Sequence, residues 1–321
     1  MQVGAGGSAL ITGKDLLVMV GLSFLTPIAW LVPEARWHRL TGGTLMALAS
    51  VGAGPQGKLR GRLERYFGDR APAPLEAMAA HALAYYADAT LQVLRAHRPG
   101  GWTPAVELVG AEHLHAALER GRGAILWISF FQFYSLISKI APHRAGFAVS
   151  HLSHPRHGFS SSRFGVSVLN RLYRDVEDRY LRERVRLSIE SPLPAMRTLA
   201  RRLEANGIVS ITAREAASQP VVVPFLSGRI PVASGAPDLA YRTGAALLPM
   251  HTVRNADGRF SVIVEPSVAP VERGDDRRAF SESAVRAYAA RLEDWVSRYP
   301  DQWRGWFHLG STDSAETAAR R

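Results

Sequence analysis

Gly121-Arg-Gly-Ala-Ile-Leu-Trp-Ile-Ser-Phe-Phe-Gln-Phe-Tyr-Ser135 is the stretch that decides the fold. Its apolar run, residues 124–129, follows two glycines and is typical of a buried strand. Aromatic and aliphatic residues then recur at helical offsets of three, four and seven, at Phe130, Phe133, Tyr134 and Ile137. The stretch therefore predicts a central strand followed by an apolar helical stripe.

Segments of strand and helix character alternate along most of the chain. The predicted strands are 106–109, 124–129, 147–149, 208–212, 221–225, 247–252 and 260–264. The predicted helices are 74–95, 112–119, one that runs through Ile140, 194–205, 237–243 and 279–298. Alternation on this scale predicts an α/β fold, a mixed sheet covered by helices on both faces.

The N-terminal region contains an uncharged apolar run over residues 16–32, with charged residues on both sides. Its length is at the lower edge of what crosses a bilayer, where about 20 residues are usual. We expect residues 1–50 to form a membrane-associating helical segment, with a buried first helix of a soluble domain as the alternative. Residues 51–310 are then a single α/β domain. Residues 311–321 contain few apolar side chains, and we expect a disordered tail.

The chain is strongly basic and contains no cysteine. Its 321 residues carry a formal net charge of +11, and of its 39 basic residues only Lys14, Lys58 and Lys139 are lysines. Arginine-rich surfaces attract phosphate groups of lipids, of phosphopantetheine carriers or of nucleic acids, although genomic base composition also favours arginine. No recognised nucleic-acid motif is present, so we expect no nucleic-acid partner. The lack of cysteine excludes disulfides and thiol nucleophiles.

Four motifs, in this order and spacing, resemble the lipid A late acyltransferases, the lauroyl and myristoyl transferases of the lysophospholipid acyltransferase superfamily. They are Gly121-Arg-Gly-Ala-Ile-Leu, Val222-Val-Pro-Phe-Leu-Ser-Gly-Arg-Ile-Pro231, Gly235-Ala-Pro-Asp-Leu-Ala-Tyr-Arg-Thr-Gly-Ala-Ala-Leu-Leu-Pro249 and Tyr299-Pro-Asp-Gln-Trp-Arg-Gly-Trp-Phe-His308. The resemblance implies a glycerolipid acyltransferase-like fold at the cytoplasmic face of a bacterial inner membrane. It also implies an acyl carrier protein or acyl-CoA as donor, an anionic lipid or membrane surface as partner, and no cofactor.

The catalytic motif of that family, a histidine followed five residues later by Asp or Glu, is missing. The resemblance aligns Phe130 with the histidine and Ser135 with the acid, and it also places Ser150 and Ala213 where the family has an Arg and an Asp. No gap can restore the pair, because residues 120–174 contain no acid and residues 116–142 contain no histidine. The first hypothesis is therefore a pseudoenzyme that binds an acyl donor or lipid without transferring the chain.

The alternative is an active acyltransferase whose general base has moved. His151, His154 and His157 follow the next predicted strand, and His151 or His154 is the candidate base. A base needs an orienting carboxylate, which folding would have to bring from a distant residue such as Asp175 or Glu215. The same histidines lack a local acid and a recognised ligand spacing, so no metal site is predicted.

Candidate substrate-binding residues come from the aromatic stripe, from the acid-free basic segment and from the turn of the second motif. They are Arg122, Phe130, Phe133, Tyr134, Arg156, Arg163, Gly228 and Arg229. The aromatic residues would line an acyl-chain slot, or else fill the core where the catalytic pair is missing. The arginines would contact phosphate, or else form a solvated basic face, and the turn at Gly228 is also compatible with a plain hairpin.

Overall fold

The computed structural model describes residues 10–34, 36–37, 55–154, 157–188, 191–213, 220–270 and 274–309. Four parts of the sequence predictions lie outside these residues. They are Arg156, Glu215, the expected tail 311–321 and the expected domain boundary after residue 50. The described part contains a seven-stranded sheet and a separate two-stranded hairpin.

The large sheet is mixed, as the sequence predicts. Its strand order is β1-β9-β8-β2-β5-β3-β4, and only the β8–β9 pair is antiparallel. The strands are β1 Val106–Val109, β2 Ala124–Ile128, β3 Val149–Ser153, β4 Glu183–Arg186, β5 Ile208–Thr212, β8 Ala246–Arg254 and β9 Phe260–Val264. The hairpin consists of β6 Pro220–Phe225 and β7 Gly228–Ala233. The carboxyl ends of the parallel strands β2, β3, β4, β5 and β8 therefore share one edge.

Helices cover both faces of this sheet. They are α1 Gly13–Leu31, α2 Pro55–Phe67, α3 Leu75–Ala96, α4 Ala111–Glu119, α5 Ile137–Arg144, α6 Arg171–Glu177, α7 Leu193–Glu204, α8 Gly235–Thr243 and α9 Arg277–Arg298. Strand β2 shows the two layers: Ile125 and Trp127 belong to the core on one face, and Leu126 and Ile128 belong to the core on the other. All five residues of β2 are buried.

Gly123, directly before β2, has a structural requirement for glycine. Its φ is +68°, in the left-handed region, and a Cβ there would lie 2.5 Å from the carbonyl oxygen of Gly207. This close approach brings the start of β2 onto the turn before β5. The glycine of the first motif therefore supports the fold.

The predicted helix after β2 is wrong in its first turn. Residues 132–136 form turns, and α5 begins at Ile137. The reason is tertiary: Gln132 N–H donates to the carbonyl oxygen of Gln302 (2.8 Å), and Arg304 N–H donates to that of Phe130 (2.9 Å). These bonds to the C-terminal segment take donors and acceptors that a helix would use within itself. Phe130 and Tyr134 still stay close, with their ring centroids 4.7 Å apart.

Two further strands differ from the prediction. The strand expected at residues 147–149 is β3 Val149–Ser153, and Glu183–Arg186 forms an unpredicted edge strand, β4. The turn at Gly228 is the plain hairpin, with Phe225 paired to Gly228.

Helix α1 has one face on the protein and one face exposed. Leu22 and Ala29 are buried against the body, whereas Leu17, Phe24 and Leu31 are more than two-thirds exposed. Within the described residues it is the one helix that is long and apolar enough to cross a membrane, and 17% of its apolar window is buried. Its first turn is tied down because the buried Asp15 accepts hydrogen bonds from Ser160 Oγ and from Thr12 N–H (2.7 Å).

Candidate active site

A cavity of about 470 Å³ lies between α1 and the carboxyl edge of the sheet, and we call it the α1 cavity. One wall is the inner face of α1, and the rest comes from α3, α6, the loops after β2 and β3, and the C-terminal segment. Its lining residues are Lys14, Val18, Gly21, Leu22, Leu25, Tyr86, Thr90, Phe130, Tyr134, Ser135, His157, Gly158, Phe159, Tyr173, Arg304 and His308. They include Phe130 and Ser135, the residues that the resemblance aligns with the family's histidine and acid.

A fully buried carboxylate, Glu177, lies directly behind this wall. Ser135 Oγ donates a hydrogen bond to its Oε1, and the Nε2 of His157 lies 2.9 Å from the same oxygen. Arg184 donates to Oε2 (2.7 Å), and Lys139 Nζ lies 3.4 Å from Oε1. We call these five residues the Glu177 cluster. It joins an imidazole at a cavity wall to a carboxylate from α6.

The charges of the cluster keep Glu177 ionised. Burial acts to raise the pKa of this carboxyl, but His157, Lys139 and Arg184 together hold the pKa well below its usual range. Burial also lowers the pKa of the Lys139 ammonium, against the opposing effect of Glu177. The pKa of Arg184 is raised, because Glu177 and Asp178 outweigh the effect of its burial. The site therefore holds a fixed negative charge beside the imidazole.

The ring of His157 is held in one orientation. It packs edge-to-face on Tyr173 with ring centroids 5.5 Å apart, and its side chain is 15% exposed. The next residue, Gly158, has φ +134°, and a Cβ there would meet the side chain of Asn170 at 2.4 Å, so the chain turns tightly at this point. Because Nε2 faces Glu177, the hydrogen-bond network assigns the proton to Nε2 and leaves Nδ1 as the basic nitrogen.

A second cavity of about 340 Å³, the β3 cavity, lies on the other side of the same wall. Tyr134 and His157 line both cavities. The remaining lining of the β3 cavity is mostly apolar and consists of Trp127, His151, Leu152, Ser153, His154, Leu187, Pro192, Ile211, Thr212, Ala233, Gly235 and Ala236. Ligand sites of open α/β sheets lie at this carboxyl edge. The imidazole of His157 therefore borders both cavities.

The family model for bacterial lipid A biosynthesis acyltransferases matches residues 10–309. The chain belongs to this family. No curated protein matches the chain. The family relates the chain to acyl transfer, and so to an acyl donor and a lipid acceptor. Helix α1, the one such apolar helix among the described residues, is long enough to anchor the protein at a membrane.

The two predicted bases of this family member lie in or beside the β3 cavity. His151 is buried, and its Nδ1 lies 2.9 Å from Ser210 Oγ. Burial, with Lys139 nearby, lowers its pKa well below 6.5. His154 is exposed and lines the β3 cavity. Their catalytic role stays a prediction. His157, the third histidine of this group, contacts the Glu177 carboxylate.

The predicted binding residues divide by location. Phe130 and Tyr134 line the α1 cavity, whereas Phe133 is buried between Tyr85 and Phe260. The other described candidates lie outside the linings of both cavities. Arg122 is exposed before β2 at the opposite edge of the sheet, Arg163 is exposed after β3, and Gly228 and Arg229 lie in the hairpin beside Tyr66. Their binding roles stay predictions.

Sequence reasoning missed Glu177, Arg304 and His308. A signal for Glu177 exists, since it lies four residues after Tyr173 and one after Val176, on the buried face of α6. An acid on an apolar helical face needs a partner. For Arg304 and His308 the sequence predicts only that the tryptophans beside them are packed, and Trp303 and Trp306 are indeed buried.

A second Ser-His-Glu set lies in the core, formed by Ser129, His251 and Glu265, and we call it the core triad. Ser129 Oγ lies 2.6 Å from His251 Nδ1, and His251 Nε2 lies 3.7 Å from Glu265 Oε2. Ser129 and His251 are fully buried, and neither lines either cavity. Burial lowers the pKa of His251, although Glu265 opposes the shift. This set links β2 and β8, and its serine and histidine have no exposed surface among the described residues.

Proposed function

We propose that the protein transfers an acyl group from a thioester donor to a lipid hydroxyl, with His157 as general base and Glu177 as its orienting carboxylate. The observation that carries the proposal is the 2.9 Å contact between His157 Nε2 and Glu177 Oε1 at the wall of the α1 cavity. His157 comes from the loop after β3 and Glu177 from α6, whereas the family's motif follows β2. They stand beside Ser135, the residue aligned with the family's acid.

The proposed reaction uses both states of the imidazole. His157 Nδ1 takes the proton of the acceptor hydroxyl while that oxygen attacks the thioester carbonyl carbon. Glu177 accepts the Nε2–H bond and stabilises the imidazolium. The carbon–sulfur bond then breaks, and the imidazolium returns its proton to the leaving thiolate. Lys139 and Arg184 hold the carboxylate in position, so it does not take the proton itself.

We also propose where the reaction takes place and which molecules enter it. The outer face of α1 would lie in the interfacial region at the cytoplasmic side of a bacterial inner membrane, because Leu17, Phe24 and Leu31 expose a continuous apolar surface. The donor would be an acyl carrier protein or acyl-CoA, and the acceptor a phospholipid or glycolipid entering from the membrane. The β3 cavity, with its mostly apolar lining, is the proposed space for the acyl chain.

Turnover of the purified full-length protein in detergent, with a labelled acyl donor and a bacterial lipid extract, tests this function. We expect His157→Ala to lower turnover about 10²- to 10⁴-fold, the usual value of a general base. His143→Ala, an exposed histidine on α5 outside the linings of both cavities, is the matched control and should keep most of the activity. His151→Ala and His154→Ala, at the proposed acyl-chain space, should lower turnover less than His157→Ala. Loss of turnover in His151→Ala or His154→Ala with His157→Ala active would assign the base to the predicted residue instead.

Binding of an acyl donor or lipid without transfer is the second candidate function. The observation in its favour is that Phe130, which the resemblance aligns with the family's histidine, lines the α1 cavity. The same assay separates the two candidates. Donor binding with no turnover in the unmodified protein would support the binding protein and would contradict acyl transfer through His157.

A further inference from the structure

The loop that carries His157 is fastened to the start of α1. Asp15, in the first turn of α1, is fully buried, and its Oδ1 accepts a hydrogen bond from Ser160 Oγ. Ser160 lies three residues after His157 and is also buried. A backbone bond joins the same two segments, since Phe164 N–H donates to the carbonyl oxygen of Leu10 (2.9 Å). The position of this loop therefore depends on how α1 begins.

The two carboxylate oxygens of Asp15 have separate partners. Oδ2 accepts from the backbone N–H of Thr12 (2.7 Å) and from its Oγ1 (2.8 Å), which forms the N-terminal cap of α1. Oδ1 accepts from Ser160 Oγ and is not needed for the cap. A buried carboxylate is stable only when hydrogen-bond donors satisfy its oxygens. Ser160 supplies the donor for Oδ1, so the link to the loop is part of what keeps Asp15 buried.

Ser160 is tied in turn to the residues next to His157. Its N–H donates to Asn170 Oδ1 (3.0 Å), and its carbonyl oxygen accepts from Asn170 Nδ2 (2.8 Å). Gly158 lies against the same asparagine, because a Cβ at that position would be 2.4 Å from Asn170 Cγ. Gly165 lies against Ser160 itself, with only 2.2 Å between a Cβ there and Ser160 Oγ. In such close packing a shift of Ser160 would pass through Asn170 to Gly158 and so to His157.

Asp15 and Ser160 line neither cavity. An effect of either residue on the reaction would therefore pass through the position of the His157 ring. That ring has to keep its Nε2 2.9 Å from Glu177 Oε1 for Nδ1 to act as the base. A displacement of about 1 Å caused by a distant substitution can cost about 10²-fold in rate.

We infer that Asp15 is a positioning residue for His157, because through Ser160 it fixes the loop that holds the imidazole against Glu177. This inference rests on the proposed acyl transfer, in which His157 is the general base. The start of α1 then has a part in the reaction that is separate from the exposed apolar face of the same helix.

Steady-state kinetics of the full-length protein in detergent, with the labelled acyl donor and lipid extract of the turnover assay, test the inference. Asp15→Ala and Ser160→Ala should each lower kcat about 10- to 100-fold, with little change in the KM of the donor. Thr12→Ala is the matched control, because it also removes one hydroxyl donor of Asp15 but leaves the bond to Ser160. It should keep the kcat per folded molecule.

The double variant Asp15→Ala/Ser160→Ala shows whether the two residues act through one bond. If they do, its kcat should be no lower than that of the weaker single variant, because the bond is already lost in each. Losses that multiply in the double variant would show that Asp15 and Ser160 act independently and would contradict the inference.

The tautomer of His157 gives a readout that needs neither donor nor acceptor. In protein made with isotope-labelled histidine, the nitrogen resonances of His157 are assigned by their absence from His157→Ala. They should report a ring protonated at Nε2 in the unmodified protein and in Thr12→Ala, and a mixture of both tautomers in Asp15→Ala. Ser160→Ala leaves the cap of α1 in place, so it carries the same test if Asp15→Ala does not fold.

Three further results would overturn the inference. In the first, Asp15→Ala and Ser160→Ala would keep both the kcat and the His157 resonances of the unmodified protein. In the second, Thr12→Ala would lose as much kcat as they do, which would indicate that the start of α1 only stabilises the fold. In the third, KM would rise with kcat unchanged, which would indicate a binding role. A tautomer change in Asp15→Ala, in a protein without turnover even when unmodified, would instead contradict the acyl transfer and support the positioning of His157.

Discussion

The Glu177 cluster and the core triad contain the same three residue types, yet they have opposite surroundings. Their serines, Ser135 and Ser129, are six residues apart in the loop that follows β2. In the Glu177 cluster the histidine lines two cavities and the carboxylate has two cationic neighbours. In the core triad the histidine is sealed and stacks on Trp295, with ring centroids 5.2 Å apart.

Residue types and short polar contacts alone do not define a catalytic site. The core triad has a direct Ser–His contact of 2.6 Å, but its serine and histidine are fully buried. The Glu177 cluster has the access, and its extra cations keep the carboxylate charged at the imidazole. Four experiments separate the roles of the two sets.

The largest effect is expected on turnover. His157→Ala should lower kcat about 10²- to 10⁴-fold and leave the fold intact, because the ring lies at a cavity wall. His251→Gln should keep the kcat per folded molecule and lower stability, because His251 is fully buried. Steady-state kinetics, normalised to the folded fraction from circular dichroism, measures both. Equal losses of kcat in the two variants would remove the distinction between the sets.

The next effect is on stability. Glu177→Gln should destabilise the protein by about 3–5 kcal/mol, because it removes the buried anion that Lys139 and Arg184 share. Asp178→Asn is the control, since this partner of Arg184 is 46% exposed and should cost less than about 1 kcal/mol. Denaturant unfolding in detergent gives both values. A cost for Glu177→Gln no larger than the control would mean that the cluster is not held by charge.

A smaller difference is expected between the two serines. Ser129→Ala should cost about 1–3 kcal/mol, because it leaves the buried Nδ1 of His251 without its partner. Ser135→Ala should cost less, since His157, Lys139 and Arg184 still contact the Glu177 carboxylate. The shift in denaturant midpoint between the two variants is the measurement. The reverse order would show that the Glu177 cluster depends on Ser135 more than on its cations.

The smallest effect is a difference in pH dependence. His251 has a pKa lowered from 6.5, so the unfolded chain binds its proton first, and stability should fall as the pH drops below about 6.5. Glu177 has a pKa lowered from 4.5, so its contribution is complete above that value and is lost as the pH falls further. Each group contributes at most about 1.4 kcal/mol per pH unit. The free energy of unfolding should be measured between pH 7 and 3. His251→Gln should flatten its pH dependence in the upper part of this range, where His151 also contributes. Glu177→Gln should flatten it in the lower part. Flattening of the wrong range by either variant would contradict the assignment.

Most of the sheet is predictable from local pattern. The strands near 124, 208, 247 and 260 are apolar runs, and their burial in the centre of the sheet follows from that pattern. Edge strand β4, Glu-Arg-Val-Arg, has no such apolar pattern. Its side chains are held by ion pairs instead, such as that of Glu183 with Arg202 at 2.5 Å. The turns over 132–136 were missed because their backbone bonds go to residues 302–304, far along the chain.

The sequence by itself determined the α/β class, the family resemblance and the apolar first helix, because each depends on residue type and spacing along the chain. It also predicts that Phe130 and Ser135 stand in place of the family's histidine and acid. The tertiary structure decided that His157 meets Glu177 at the wall of a cavity that Phe130 and Ser135 also line. Parallel strands bring the loops at their carboxyl ends together whatever their separation in sequence. A buried carboxylate then requires donors, and which side chains supply them depends on neighbours that exist only once the chain has folded.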